Sequence, residues 1–281
     1  MKADTGLRET ASAAGKGLMA FLLATILAMP SLAAQGFDHT HAAYDAILKA
    51  HVADGRVDYR ALKANPRALN RYLNDLAAVS ERQFRVWPKA QRLAFLFNLY
   101  NAATLKLVVD HYPVKSIKDI GGWFKGPWDQ PVVRLSGNTI ALNTLEHGIL
   151  RKQYSEPRLH MALVCAAKGC PPLRSEPYTA ARLDKQLDDQ SRTYLASPAG
   201  LRIDLAGSKV LVSSIFKWYG DDFVGKYTPR KGFAGLDKTE RAVAGFCARY
   251  LGAGSRRYLA AGGYDVEYLD YDWSLNGRVG R

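Results

Sequence analysis

The stretch 90–109 constrains the fold of this chain more than any other segment, because it contains no glycine or proline and is apolar on nearly every face of the helix it predicts. Pro88 stands where a first helical residue belongs, and Pro113 follows the end. We predict a central helix buried in the protein. A buried amide must find hydrogen-bond partners or cost about 1–3 kcal/mol. The polar exceptions on this helix lie along one side: Gln91, Asn98, Asn101 and Thr104.

Shorter elements are predicted around this helix. Apolar periodicity and turn residues predict helices at 41–51, 69–76, 143–151, 180–195 and 239–250. The same reasoning predicts short strands at 57–59, 159–164 and 264–269, and hairpins at 132–140 and 201–212. The sequence has no serine/glycine linker and no internal repeat. These elements predict one helix-rich α+β domain with a small sheet and the central buried helix.

The first 34 residues have the pattern of a secretory signal peptide. Lys2, Arg8 and Lys16 precede an apolar run at 18–29, and small residues at Ser31 and Ala33 suit a cleavage site. The run is shorter than the roughly 20 residues of a membrane span, and no later stretch is expected to be long and apolar enough to cross a bilayer. We predict a signal peptide at 1–34, a single domain at 35–281, and a soluble protein that is periplasmic or secreted.

The chain is strongly basic, with a formal net charge of +13. The signal peptide contributes one net positive charge, so 13 minus 1 leaves +12 on the exported protein. A positive field raises encounter rates with anionic partners and says nothing about fold. We expect a partner such as an anionic peptide or a cell-envelope polymer, no nucleic acid, and no cofactor.

Two of the three cysteines follow the apolar run at 159–164. Cys165 can be a nucleophile, a metal ligand, a disulfide partner or a small buried hydrophobe. The spacing to Cys170 allows a local disulfide, which export favours and which would silence the thiol. Cys247 lies on an apolar helical face and is expected to be buried and unpaired. A zinc site using these two cysteines with His147 and His160 is chemically allowed, but the spacing matches no usual ligand pair, and no metal is predicted.

A catalytic thiol needs a base, and His147 and His160 are the candidates. Side chains alternate along a strand, so His160 and Cys165, five residues apart, should point to opposite faces of the predicted strand unless it ends first. His147, which arrives from a separate helix, is therefore preferred. Glu146 could orient a histidine or act as an acid, but it also has the position of a capping-box residue after Asn143.

Other polar residues could complete the site. Asn98 and Asn101 could orient an imidazole or stabilise an oxyanion, or they could form a structural seam. Asp222 could hold a histidine tautomer. The predicted substrate-binding residues are Trp123, Trp128, Arg151 and Trp218. The sequence lacks the motifs of serine hydrolases and of dinucleotide-binding folds.

Several segments together resemble the DUF547 family of exported bacterial proteins, which is related to a C-terminal domain of plant leucine-zipper proteins. These segments are 97–102, 145–151, 160–171, 215–223 and 271–276. The resemblance spans roughly 41–276 and directs attention to the polar residues inside these segments. In the plant relatives the position of Cys170 is often serine whereas that of Cys165 is kept, which implies a thiol role rather than a common disulfide.

Two functional hypotheses follow. The first is a thiol-dependent acyl-transfer or hydrolase-like enzyme with Cys165 as nucleophile and a histidine base, acting on an amide, ester or thioester. The second is a non-catalytic periplasmic binding module for a peptide or cell-wall polymer. A disulfide at Cys165, or a sluggish buried thiol, would favour the second.

Overall fold

Twelve helices and seven short strands form the part of the chain that the computed structural model describes, residues 36–122 and 124–278. The helices are α1 (Ala42–His51), α2 (Tyr59–Ala64), α3 (Arg67–Ala77), α4 (Glu81–Val86), α5 (Lys89–His111), α6 (Arg151–Gln153), α7 (Leu159–Ala162), α8 (Leu183–Leu195), α9 (Ser214–Tyr219), α10 (Asp221–Tyr227), α11 (Lys238–Tyr250) and α12 (Ala253–Ala261). The strands are β1 (Val52–Ala53), β2 (Arg56–Val57), β3 (Pro131–Leu135), β4 (Asn138–Ala141), β5 (Leu201–Asp204), β6 (Lys209–Ser213) and β7 (Asp265–Leu269). A π-helical segment, Thr144–Leu150, leads into α6. The predicted helix-rich α+β class is confirmed, whereas the predicted signal peptide and its boundary lie outside the described residues.

Helix α5 is the predicted central helix, and its side chains are buried along most of its length. By length and composition it could cross a membrane, so the prediction that no later stretch qualifies is wrong. Its most apolar window, however, is 89% buried inside the fold. The buried core helix of a soluble protein passes the same test, and the surrounding elements supply the apolar contacts that lipid would otherwise provide.

The core has two parts within the compact unit formed by residues 37–281. The larger cluster packs α1, α3 and the π-helical segment around α5. The smaller cluster is built from α9, α10, α11 and the strands β5 and β6. Tyr271 packs against both clusters. The region around Tyr271 is therefore where the two cores meet.

The largest sheet has three strands in the order β5-β6-β7. Strands β5 and β6 form the predicted antiparallel hairpin, and β7 pairs parallel to β6 with Ser213 opposite Leu269. Because parallel strands end at the same edge of a sheet, the segments that follow β6 and β7 begin side by side. These are α9 and the chain from 270 onward, and both contribute to the site described below.

The predicted strand at 159–164 is wrong. This segment forms the short helix α7, in which the backbone N–H of His160 donates to Pro157 O and that of Met161 donates to Arg158 O. A short apolar run is equally compatible with a buried helix or a strand, and the local turn after Pro157 decides between them. Arg158 is buried and pairs with Glu156, Asp184 and Asp188 at 2.8, 2.6 and 2.6 Å, which fixes α7 against α8.

The predicted cap at Asn143 is also wrong. Its backbone is already helical, its side chain makes no cap hydrogen bond, and its amide instead donates to Asp129 at 2.6 Å. Glu146 consequently does not close a capping box and accepts a hydrogen bond from Tyr100. The predicted strand at 57–59 ends at Val57, because Asp58 caps α2 through the backbone N–H of Ala61.

Candidate functional site

A pocket of about 240 Å³ lies where the two cores meet. Six aromatic side chains, the two disulfide-forming cysteines and a few polar groups line it. The lining residues are Tyr100, Trp128, Asn143, Glu146, His160, Leu163, Cys165, Cys170, Ile215, Trp218, Tyr219, Tyr271 and Trp273. Of the predicted site residues it therefore brings together Cys165, His160, Glu146, Trp128 and Trp218, while His147, Asn98, Asn101, Arg151 and Asp222 do not line it.

Cys165 lies three residues beyond the end of α7, after Leu163, whose backbone is extended. The backbone of this stretch is held by Asn101, whose amide donates to Ala162 O at 3.0 Å and accepts from the Val164 N–H at 2.9 Å. Cys165 is joined to Cys170 by a disulfide. The disulfide therefore forms part of the pocket wall, and neither sulfur is a free thiol in this state.

The loop after Cys165 is held by the C-terminal segment. Ala166 has a positive φ of 59°, a costly conformation for alanine. The N–H groups of Lys168 and Gly169 donate to Ser274 O and Asp272 O at 2.8 Å. A Cβ at Gly169 would lie 3.1 Å from the ring of Tyr271, so glycine permits this close approach.

The Tyr271 hydroxyl lies beside both sulfurs as a result. It is 3.0 Å from Cys165 Sγ and 3.1 Å from Cys170 Sγ. The backbone N–H of Cys165 also donates to Cys170 Sγ at 2.9 Å. The single hydroxyl proton of Tyr271 is within reach of both sulfurs, so the Cys165 backbone N–H is the donor that distinguishes Cys170 Sγ from Cys165 Sγ.

His160 is buried, and its imidazole is fixed from two directions. Its Nε2–H donates to Asp222 Oδ2 at 2.7 Å, and its ring stacks on Tyr219 with a centroid distance of 4.3 Å. Burial lowers the pKa of His160 despite the neighbouring Asp222 carboxylate. The lowered pKa favours the neutral ring near pH 7, and because Nε2 carries the proton donated to Asp222, Nδ1 is the nitrogen that can accept a proton.

Arg151 and His147 lie behind this pair. Arg151 binds both oxygens of Asp222 at 2.7 and 2.9 Å, and its guanidinium donates to His147 Nδ1 at 3.1 Å. Burial alone would raise the pKa of Asp222, but the hydrogen bonds from His160 and Arg151 hold it well below its ordinary range. His147 is thus engaged with a cation, and burial and Arg151 both lower its pKa.

Glu146 is the other titratable group of the pocket. The π-helical segment carries it inward, where it is 7% exposed and accepts a hydrogen bond from the Tyr100 hydroxyl at 3.0 Å. Burial raises the pKa of Glu146 to about 7, against the opposing effects of Tyr100 and Arg151. A carboxyl that titrates near neutrality can both donate and accept protons, as general acid–base catalysis requires. A π-helical segment is itself a feature often found at functional sites.

Aromatic side chains form the wall of the pocket toward solvent. Trp218 stacks on Trp273 at 5.7 Å and packs against Tyr271 at 4.9 Å, while Trp128 meets Trp273 edge to face. Trp218 is 43% exposed. Trp123, which the sequence analysis assigns to substrate binding, lies outside the described residues.

Asn98 and Asn101 hold backbone rather than line the pocket. Asn98 donates to Tyr178 O at 2.8 Å and accepts from the Tyr178 N–H at 2.9 Å, in the same manner as Asn101 on α7. Both amides of α5 therefore meet the hydrogen-bond requirement that burial imposes. In the described part of the chain, no three or more histidine, cysteine and acidic side chains group closely enough to hold a metal ion. Cys247 is completely buried and unpaired, as expected.

Sequence reasoning missed four of the aromatic lining residues: Tyr100, Tyr219, Tyr271 and Trp273. Three of them follow strands β6 and β7, and the sequence carries a signal for them in the aromatic-rich segments 216–219 and 271–273. What the sequence lacks is the parallel pairing of β6 with β7, which brings these segments together.

The comparison with known families matches the middle of the chain. Residues 84–195 fit the model of the family described as "Protein of unknown function, DUF547". This region includes Glu146, His160 and Cys165, whereas Asp222, Trp218 and Tyr271 lie beyond it. No curated protein and no solved structure matches the chain. This match over residues 84–195 supports the resemblance to the DUF547 family that the sequence predicts.

Proposed function

We propose that this protein is an exported thiol-dependent acyl-transfer or hydrolase-like enzyme in which Cys165 is the nucleophile and His160, not His147, is the base. The observation that carries this proposal is the hydrogen bond from His160 Nε2 to Asp222, because it orients an imidazole that lines the same pocket as Cys165. A nucleophile, a base and a carboxylate that holds the base are the three parts of a catalytic triad.

His160 replaces His147 as the proposed base because residues 159–162 form a helix and not a strand. The preference for His147 depends on side-chain alternation along a strand. Because α7 ends at Ala162, His160 and Cys165 do not lie on one strand, and side-chain alternation does not apply to them. Both residues line the same pocket. His147 contacts Arg151, whose positive charge opposes proton uptake by this imidazole.

The proposed reaction begins with Cys165 as a thiol. Its sulfur attacks the carbonyl carbon of an amide, ester or thioester while the S–H proton passes to His160 Nδ1. The leaving amine, alcohol or thiol then takes that proton, and the acyl group remains on Cys165. Water or a second nucleophile attacks the thioester, gives its proton to His160, and Cys165 leaves and recovers the proton as a thiol.

Two further groups support this chemistry. Glu146, with a pKa near 7, can exchange a proton with a polar group of the substrate. The Tyr271 hydroxyl, 3.0 Å from Cys165 Sγ, can donate to the sulfur when it carries negative charge. The aromatic wall provides apolar contact area for the rest of the substrate, which we propose is a peptide or cell-envelope polymer.

With Cys165 as the proposed nucleophile, the described disulfide state would be a resting form of the enzyme. Neither sulfur can attack a carbonyl until an external dithiol reduces the disulfide to two thiols and is itself oxidised. A disulfide between residues this close in sequence supports export to an oxidising compartment, as the predicted signal peptide does.

The test uses Cys170→Ser, which leaves Cys165 as a free thiol without added reductant. We expect p-nitrophenyl acetate to acetylate Cys165, detected by mass spectrometry of its tryptic peptide. Adding Asp222→Asn should slow acetylation about a hundredfold, since the imidazole loses its orienting carboxylate. Asp221→Asn is the matched control, because Asp221 contacts Thr239 instead. Equal rates in the two asparagine variants would contradict the proposal.

A second candidate is the binding module for a peptide or cell-wall polymer. Two observations favour it: the disulfide that occupies Cys165, and the solvent-facing tryptophans of the pocket. It would be preferred if the Cys170→Ser protein, correctly folded, bound polymer fragments but failed to acquire the acetyl group.

A further inference from the structure

The two sulfurs of the disulfide differ in access. Cys165 is half-buried and lines the aromatic pocket, whereas Cys170 is 7% exposed and lines both this pocket and a second cavity of about 400 Å³. The second cavity is bordered by Arg56, Lys168 and Asp272, among others. Both cysteines therefore border the aromatic pocket, where a thiol can enter, and Cys170 also borders the second cavity.

The two sulfurs also differ as leaving groups, and here the geometry favours Cys170. Its Sγ accepts hydrogen bonds from the Cys165 backbone N–H and from the Tyr271 hydroxyl, at 2.9 and 3.1 Å. Among the described residues, the hydrogen-bond partner of Cys165 Sγ is the same Tyr271 hydroxyl, whose single proton is shared with Cys170 Sγ. Hydrogen bonds to an anionic sulfur are charge-assisted, and a better-stabilised thiolate leaves faster in disulfide exchange.

We infer that the oxidised protein carries out thiol–disulfide exchange in the aromatic pocket, with Cys165 as the attacked sulfur and Cys170 as the leaving sulfur, which the Cys165 backbone N–H and the Tyr271 hydroxyl hold. The external reactant is a dithiol small or extended enough to enter between the tryptophans, such as an exported peptide with two cysteine side chains. The exchange does not require acyl transfer. Only its consequence, the release of a catalytic thiol at Cys165, rests on the proposed function.

The exchange is balanced at each step. An external thiolate attacks Cys165 Sγ, the Cys165–Cys170 bond breaks, a mixed disulfide forms at Cys165, and Cys170 leaves as a thiolate. A second thiol on the external molecule then attacks the mixed disulfide, forms a disulfide within that molecule, and releases Cys165. The external dithiol is oxidised by two electrons and the protein disulfide is reduced by two.

The test maps the first adduct on the oxidised wild-type protein. Brief incubation with glutathione, an acid quench, and N-ethylmaleimide labelling in denaturant should place glutathione on Cys165 and maleimide on Cys170. The reverse assignment, or equal amounts on the two cysteines, would overturn the inference and indicate attack through the second cavity.

A second measurement addresses the leaving sulfur. Tyr271→Phe should slow the first exchange about fivefold, because it removes one donor from Cys170 Sγ. Tyr268→Phe, at a partly exposed tyrosine of β7, is the matched control and should leave the rate unchanged. An unchanged rate in Tyr271→Phe would refute the role of its hydroxyl. Neither result depends on the acetylation of Cys165 in Cys170→Ser protein. The exchange experiments can therefore contradict this inference without contradicting the proposed enzymatic function, and the acetylation experiment can do the reverse.

Discussion

Replacing Glu146 with glutamine should change how the stability of the protein depends on pH. Burial raises the pKa of this carboxyl to about 7 from an ordinary 4.5. The folded state therefore binds the Glu146 proton more tightly than the unfolded state, and stability falls as the pH rises from about 4.5 to about 7. At about 1.4 kcal/mol for each pKa unit, ionisation of the buried group costs the wild type about 3 kcal/mol.

Glutamine is a good mimic of the protonated carboxyl, because its oxygen can still accept from Tyr100 and it carries no charge. The difference in unfolding free energy between Glu146→Gln and wild type should therefore shift by about 3 kcal/mol in favour of the variant between pH 4.5 and pH 8. Urea unfolding at the two pH values, with the disulfide intact, measures it.

The comparison cancels the titration of all other groups. Glu81→Gln is a suitable control, since Glu81 is exposed on α4, and its difference from wild type should stay within about 0.5 kcal/mol. A shift below about 1 kcal/mol for Glu146→Gln would refute the reasoning that burial raises the pKa of Glu146.

Three further outcomes test the structural account. Asn101→Ala should lower the unfolding free energy by about 3 kcal/mol, because it removes the hydrogen-bond partner of a buried carbonyl and of a buried N–H. In the same urea titration, Asn65→Ala at an exposed position should cost less than about 1 kcal/mol. In an Asp129→Ala background, which already lacks the Asn143–Asp129 hydrogen bond, Asn143→Ala should cost less than about 0.5 kcal/mol, since no cap bond is lost, and a further loss near 1 kcal/mol would restore the predicted cap. Cys247 should resist iodoacetamide until denaturant is added, because it is completely buried and burial raises its pKa; labelling of the native protein would contradict this burial.

The long helix and the hairpins, which local sequence patterns determine, were predictable from the sequence. The apolar faces of 90–109 require burial on all sides, and turn residues define the hairpin at 201–212, so both elements are where periodicity predicts them. The fold class follows from these elements.

Features set by tertiary contacts were not predictable. The helix at 159–162 depends on the buried Arg158 network with α8, and the inward position of Glu146 depends on a π-helical segment facing Tyr100. The geometric preference for His147 over His160 depended on an assumed strand. The candidate residues were therefore recognised by type, whereas their partners required the structure.

The most direct test of the central claim is the rate at which iodoacetamide alkylates Cys165 in Cys170→Ser protein at pH 6.5. If His160 is the base that activates this thiol, adding His160→Ala should slow alkylation about tenfold or more, whereas adding His147→Ala should change the rate by less than about twofold. Circular dichroism and urea unfolding would establish that each variant is folded. Equal rates in the presence and absence of His160, or a large loss in His147→Ala alone, would contradict the account.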